Sequence, residues 1–76
     1  MTEVKLGTYR HYKGNLYQVI GVAHHHENAH EEFVVYKSLY DHPQFGRGTL
    51  WIRPKEMFLE NVVVDGKEIP RFTFIE

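Results

Sequence analysis

A segment rich in histidine and glutamate, residues 24–32, holds the densest set of chemically active side chains in this chain. It reads His24-His25-His26-Glu27-Asn28-Ala29-His30-Glu31-Glu32 and lies between two stretches rich in β-branched and aromatic residues. Proteins use imidazoles and carboxylates for proton transfer and for binding zinc and related ions. Because loops commonly carry the functional groups of a β scaffold, we expect this segment to be a loop with a binding role.

A metal site is one possibility for this segment. Alternate residues of an extended chain lie on one side, so His24 and His26 could share a metal ion with His30. These histidines do not lie on an expected helix, as a His-Glu-x-x-His zinc site requires, and no cysteine accompanies them. We therefore expect no cofactor, with zinc as the alternative.

A narrower possibility pairs His25 with Glu27. The two residues share a face if the segment is extended, and a neighbouring carboxylate can orient an imidazole and raise its pKa. Such a pair suits a general base or a polar contact to a ligand. The simpler interpretation is that Glu27 and Asn28 satisfy backbone groups in a turn.

A second group of candidates comes from the expected strands. Trp51 and Arg53 are two residues apart and therefore share one face of a strand, as do Tyr36 and Tyr40 in another strand. A guanidinium beside aromatic rings can stack on them and still offer its donors to a carboxylate or phosphate. The simpler interpretation is that Trp51 and the tyrosines fill the core while Arg53 lies over them.

We predict a ligand-binding site in which five residues converge on one shallow pocket: His25, Glu27, Tyr36, Trp51 and Arg53. Mixed aromatic and charged character is typical of pockets that hold a small polar or anionic ligand, or a peptide. Two alternatives stay open. One is a metal-dependent hydrolase that uses the histidine-rich segment, and the other is a nucleic-acid-binding module that stacks bases on aromatic rings.

Composition weighs on these alternatives. The net charge of −1 and the scattered basic residues favour a small ligand or a protein partner over nucleic acid. The chain has no cysteine nucleophile, and Ser38, its one serine, falls in an expected strand rather than at a sharp turn. We therefore expect a binding module without catalytic residues rather than an enzyme.

The pattern along the chain predicts an all-β fold in one domain, residues 1–76. Strands are expected at 7–12, 16–23, 33–40, 49–53, 62–64 and 67–75, with one helical turn at 54–58. Five or six short antiparallel strands fold as a small barrel or a strongly twisted sheet, here of the SH3-like barrel type. The residues expected in the core include Met57, Phe58, Phe72 and Phe74, while His11 and His42 carry no prediction.

Four residues mark special backbone positions. Gly21 within the second strand predicts a bulge or bend, and Asp65-Gly66 predicts a type I′ hairpin turn. Pro70 cannot donate to a ladder and predicts a sheet edge or a bulge. Self-association through such an edge makes a weak homodimer an alternative to a monomer. The opening residues are too polar for a signal peptide and no apolar run approaches a membrane span, so we expect a cytoplasmic protein without membrane contact.

Several stretches together resemble a known family. They are Tyr9-Arg10-His11-Tyr12-Lys13-Gly14, Tyr17-x-Val19-Ile20-Gly21-Val22-Ala23, Val35-Tyr36-x-x-Leu39-Tyr40, Leu50-Trp51-Ile52-Arg53-Pro54-x-Glu56-Met57-Phe58 and Val64-Asp65-Gly66-Lys67-Glu68-Ile69-Pro70-Arg71-Phe72. The chain resembles a family of short bacterial proteins catalogued as a domain of unknown function, family 1653. The resemblance implies a compact single domain and no established activity. The family pattern after the second strand resembles His-Ser-Glu-Thr, so His25 and Glu27 match it whereas His24, His26 and His30 fall outside it.

Overall fold

The computed structural model describes residues 3–76, and over that range it has seven strands and one short helix. In chain order these are β1 Gly7–His11, β2 Leu16–His25, β3 Asn28–Ser38, β4 Leu50–Pro54, α1 Lys55–Phe58, β5 Asn61–Val64, β6 Lys67–Pro70 and β7 Phe72–Phe74. All strand pairs are antiparallel, which confirms the expected all-β class with one helical turn. No helix in the described part of the chain is long and apolar enough to cross a membrane.

Five of the strands form one sheet in the order β4-β3-β2-β1-β7, and β5 pairs with β6 in a separate hairpin. The seven strands of residues 3–76 exceed the five or six that were expected. Over residues 3–76 the two edges of the five-stranded sheet, β4 and β7, are not joined by a ladder into a closed barrel. The sheet is nevertheless strongly bent. The bend is seen in the contact between Phe72 of the β7 edge and Tyr36 of β3, whose ring centroids are 5.5 Å apart.

The β2–β3 hairpin is longer than expected. The segment 24–32 is not a loop, because β2 continues to His25 and β3 begins at Asn28, which leaves a turn of only His26 and Glu27. Pairing of His24 with Glu32 carries the ladder beyond the core, where residues 23–31 are exposed to solvent. Strand pairing uses backbone N–H and C=O groups and does not require polar and apolar side chains to alternate. A strand made only of polar residues is therefore not predicted from the sequence pattern.

A bulge in β2 controls which side chains face the core. Val19 pairs with Tyr36 and Gly21 with Val35, so Ile20 is an extra residue in the ladder. This confirms the bulge predicted from Gly21. A bulge reverses the alternation of the residues that follow it and increases the local twist of the sheet.

The C-terminal region differs from the single strand expected at residues 67–75. β6 ends at Pro70 and pairs with β5, whereas β7 begins at Phe72 and pairs with β1. The strand breaks here because Pro70 has no backbone N–H to donate and the N–H of Arg71 donates to the carbonyl of Glu60. The predicted type I′ turn is confirmed, since φ is 51° at Asp65 and 77° at Gly66.

The core lies inside the bend of the sheet, and we call that side the concave face. Its buried members are Tyr9, Val19, Val34, Tyr36, Phe58 and Phe72. Phe58 of α1 stacks on Phe72 with centroids 4.2 Å apart, so the single helical turn closes the core. The core prediction is wrong for Met57 and Phe74, which are 44% and 39% exposed.

Candidate functional site

Three of the five predicted site residues lie together on the concave face. Tyr36 of β3 pairs with Trp51 of β4, and Val34 pairs with Arg53. Paired residues of neighbouring strands point to the same side of a sheet. Because Val34 and Tyr36 are buried in the core, Trp51 and Arg53 also face it, where they are partly buried.

His25 lies on the other side of the sheet. Its ring centroid is 6.3 Å from that of Phe33, which alternates with the core residue Val34. The structure therefore does not bring all five residues to one pocket, and that prediction is wrong. The reason is the bulge at Ile20, which reverses the alternation in β2 and turns His24 rather than His25 toward the concave side.

His25 and Glu27 contact each other through the backbone. The N–H of Glu27 donates to Nδ1 of His25 at 3.2 Å, and no hydrogen bond within residues 3–76 joins their side chains. In this turn it is the imidazole of His25, rather than the side chain of Glu27 or Asn28, that satisfies a backbone group. A binding role for the two residues at the exposed hairpin tip stays a prediction.

The three histidines predicted as metal ligands do not gather. Nδ1 of His24 is 2.7 Å from the carbonyl oxygen of Ala29, so this ring braces the hairpin across its own turn. His26 and His30 are exposed. Across residues 3–76, no three histidine, aspartate or glutamate side chains are arranged to hold a metal ion.

The guanidinium of Arg53 is anchored at only one of its nitrogens. Nε donates to Oη of Tyr36 at 3.3 Å, and Cζ lies 5.8 Å from the ring centroid of Phe72. No hydrogen bond to Nη1 or Nη2 is formed by residues 3–76. Arg53 also has no carboxylate partner in that range, where Glu32, on the same face, pairs instead with Lys55 at 3.4 Å.

Tyr17 lies near this guanidinium and contacts a further tyrosine, Tyr40. The hydroxyls of Tyr17 and Tyr40 are 2.9 Å apart, and the ring of Tyr17 meets that of Tyr36 edge-on at 5.3 Å. Burial, followed by the Tyr40 hydroxyl, raises the pKa of Tyr17 far above its usual value, although nearby Arg53 acts to lower it. Tyr17 is therefore protonated at neutral pH. One hydroxyl of the pair donates to the other, which leaves one O–H free.

We call these four residues, Tyr17, Tyr36, Tyr40 and Arg53, the donor patch. The hydroxyl of Tyr36 accepts from Arg53 and keeps its own proton to donate, so the patch offers N–H and O–H groups but no carboxylate. Polar atoms of this kind bind ligands that carry anionic oxygens. The donor patch is the main candidate site.

His11 lies next to the donor patch, and the direction of its pKa shift shows that the electrostatic potential there is positive. Its ring centroid is 6.3 Å from that of Tyr17 and 5.0 Å from that of Phe72. Burial lowers the pKa of His11, and the positive charges of Arg53, Arg71 and Lys13 lower it further. The same positive charges disfavour a protonated His11 and would favour an anion bound at the donor patch.

Trp51 connects the donor patch to two further aromatic rings. Its Nε1 donates to Oγ of Ser38 at 3.3 Å, and that fully buried hydroxyl donates to the carbonyl of Thr49 at 3.4 Å. Ser38 is thus a fixed structural link. The indole also lies against His42 and Phe45, with centroids 5.4 and 5.8 Å away.

Sequence reasoning missed several residues of this region: His11, Tyr17, His42, Phe45 and Phe72. Tyr17 and Tyr36 could have been placed together by counting the register through the Gly21 bulge. His42, Phe45 and Phe72 reach the site by chain reversals whose geometry no alternation pattern encodes.

Comparison with known proteins gives a consistent picture of the fold. A family model described as "Protein of unknown function (DUF1653)" matches residues 7–74. The chain is similar to the crystal structure of a DUF1653 protein from Bordetella bronchiseptica, with 32% identity, a TM-score of 0.82, and coverage of 96% of this chain and 88% of that one. A search of curated proteins found no match. These similarities establish shared ancestry and fold, and they assign no activity.

Proposed function

The chain belongs to the DUF1653 family of proteins of unknown function, and from its geometry we propose that it is a binding module for a small anionic ligand rather than an enzyme. The ligand would place a carboxylate or phosphate on the donor patch. The scaffold that we propose is an SH3-like barrel left open between β4 and β7, with the donor patch on its concave face.

The anchoring of Arg53 is the observation that carries the proposal. A long side chain normally loses rotamer freedom when it binds a ligand, and this loss weakens binding. Here the bond to Tyr36 and the contact with Phe72 already hold the guanidinium in place. Its outer nitrogens then form the fork that matches carboxylate and phosphate oxygens.

The surrounding charges support the same ligand class. Arg71, whose charge reaches His11, is paired with Glu60 at 3.1 Å, while Arg53 has no such partner among residues 3–76. A cation without a nearby carboxylate binds an anion without first breaking an ion pair. His25 lies on the opposite side of the sheet and Glu27 in the hairpin turn, so neither is part of this site.

The test is an NMR titration with inorganic phosphate and with acetate. The chain has a single tryptophan, so the indole N–H signal of Trp51 gives one unambiguous reporter next to the donor patch. We expect a saturable shift for at least one of the two anions. Replacement of Arg53 by Gln should weaken binding by about tenfold or more, because charge-assisted bonds are lost.

Arg10→Gln is the matched control. Arg10 alternates with Tyr9 and His11 in β1 and is exposed on the other side of the sheet, so its loss removes the same charge without touching the site. Arg53→Lys should bind with intermediate affinity, since it keeps the charge but lacks the fork. Equal weakening by Arg10→Gln and Arg53→Gln, or no saturable shift in the wild-type protein, would overturn the proposal.

A further inference from the structure

A row of aromatic rings, two partly buried and one exposed, continues the donor patch toward solvent. His42 and Phe45 lie nearly parallel with centroids 5.1 Å apart, and both pack against Trp51. The ring of Tyr40, a member of the donor patch, is 6.2 Å from that of His42. We call His42, Phe45 and Trp51 the aromatic shelf.

The loop that carries His42 and Phe45 is held by its own hydrogen bonds. The N–H of Gly46 donates to the carbonyl of His42 at 2.9 Å, and the hydroxyl of Thr49 donates to the carbonyls of Phe45 and Gly46. Arg47 donates to the carbonyl of Leu39 at 2.8 Å. Phe45 is therefore kept 57% exposed by a fixed loop rather than by a disordered one.

The orientation of His42 is fixed in the same way. Its Nδ1 accepts the backbone N–H groups of Gln44 and Phe45 at 3.1 and 3.2 Å. A nitrogen that accepts two N–H groups carries a lone pair, so the ring proton belongs on Nε2. The shelf thus combines three aromatic rings with one further N–H donor, Nε2 of His42.

The distance between the shelf and the guanidinium suits one small molecule. Trp51 and Arg53 are two residues apart on the same face of β4, which corresponds to a separation of about 6.6 Å along the strand. A flat ring seated on the shelf would place an attached anionic group over Arg53. Rigid exposed aromatic surface beside convergent polar donors is typical of ligand sites.

We propose that the ligand of this module is an aryl anion, a flat ring bearing a phosphate or carboxylate, with its ring on the aromatic shelf and its anionic group on Arg53. This inference rests on the proposed function. It adds a ring-binding subsite, formed by His42, Phe45 and Trp51, to the anion subsite. Stacking on such rings tolerates many ring types, so the class is defined by flatness and charge.

The experiment compares phenyl phosphate with inorganic phosphate in the same Trp51 titration. Phenyl phosphate should bind about tenfold more tightly, which corresponds to the stacking of one ring. Phe45→Ala should remove most of this advantage while leaving the affinity for inorganic phosphate unchanged. Phe45→Leu keeps the apolar bulk without the aromatic ring and should behave like Phe45→Ala. Because this variant keeps the packing volume, the same result in both variants cannot be attributed to unfolding.

Ile52→Ala is the matched control for these variants. Ile52 lies between Trp51 and Arg53 in β4, points to the opposite face and is 65% exposed, so both affinities should be unchanged. Equal affinities for the two phosphates would overturn the ring subsite and leave the proposed function standing, whereas no binding of either would overturn both. Tight, steeply salt-dependent binding of a single-stranded oligonucleotide, with phenyl phosphate no better than inorganic phosphate, would also overturn this inference, since the partner would then be nucleic acid.

Discussion

The bond between Arg53 and Tyr36 can be measured by a double-mutant cycle. Tyr36→Phe removes the hydroxyl that accepts from Nε of Arg53, and Arg53→Met removes the donor while keeping an apolar stem. The bond is charge-assisted, but at 3.3 Å it is at the long end of the range. We therefore expect a coupling of about 1 kcal/mol, below the 1.5–3 kcal/mol typical of bonds to charged groups.

The assay is urea unfolding followed by circular dichroism for the wild type, the two single variants and the double variant. Tyr36→Phe should lower the free energy of unfolding by about 1 kcal/mol in the wild type, a shift of roughly 4–8 °C in Tm for a domain of this size. In the Arg53→Met background, the same substitution should cost almost nothing.

Tyr9→Phe provides the control for this cycle. The hydroxyl of Tyr9 donates to the carbonyl of Lys5 at 2.8 Å, so its loss should add to that of Arg53 without coupling. An equal cost of Tyr36→Phe with and without Arg53 would show that the guanidinium is not held by the tyrosine. The guanidinium of Arg53 would then not be pre-positioned to bind an anion.

Three further predictions concern the scaffold. Phe58→Ala should lower the free energy of unfolding by about 3–5 kcal/mol in urea melts because it removes a ring stacked on Phe72, whereas Val63→Ala, at a position 72% exposed, should change it by less than about 0.5 kcal/mol. The pKa of His11 is lowered in the folded state, so the unfolded state binds more protons as pH falls from about 6.5 through the folded pKa, and the free energy of unfolding should decline over that window. His11→Asn should flatten the decline in Tm measured against pH. An unchanged slope would contradict the burial of this ring. Gly66→Ala has no steric neighbour but must adopt φ of 77°, so it should cost about 1–2 kcal/mol, with Gly66→Asn costing less in the same thermal melts.

Most of the sheet could be predicted from the sequence because its signals are local. The β-branched run of β2, the Asp65-Gly66 turn and the Gly21 bulge each depend on a few adjacent residues. The division of the last expected strand into β6 and β7 could not be predicted. It depends on the N–H of Arg71, which donates to the carbonyl of Glu60 rather than to a neighbouring strand. Such a choice is made by tertiary packing, which propensity does not describe.

The candidate site was predictable only in part for the same reason. Trp51, Arg53 and Tyr36 share a face by simple alternation within strands, and this was available from the sequence. His25 was placed wrongly because the consequence of the bulge was not carried along β2. A bulge changes nothing in composition and yet exchanges the inner and outer sides of every residue after it.

The pairing of the first strand with the last has a consequence for the order of assembly. β2 and β3 are neighbours in the chain, whereas Tyr9 of β1 must find Phe74 of β7 from almost the opposite end of the sequence. Long loops close at greater entropic cost, so we expect β7 to dock late, and pulse-labelled hydrogen exchange should protect β2 and β3 first. Because Phe72 of this late strand lies beneath Arg53, a molecule that has not finished folding would lack a complete donor patch and could not bind the proposed anion.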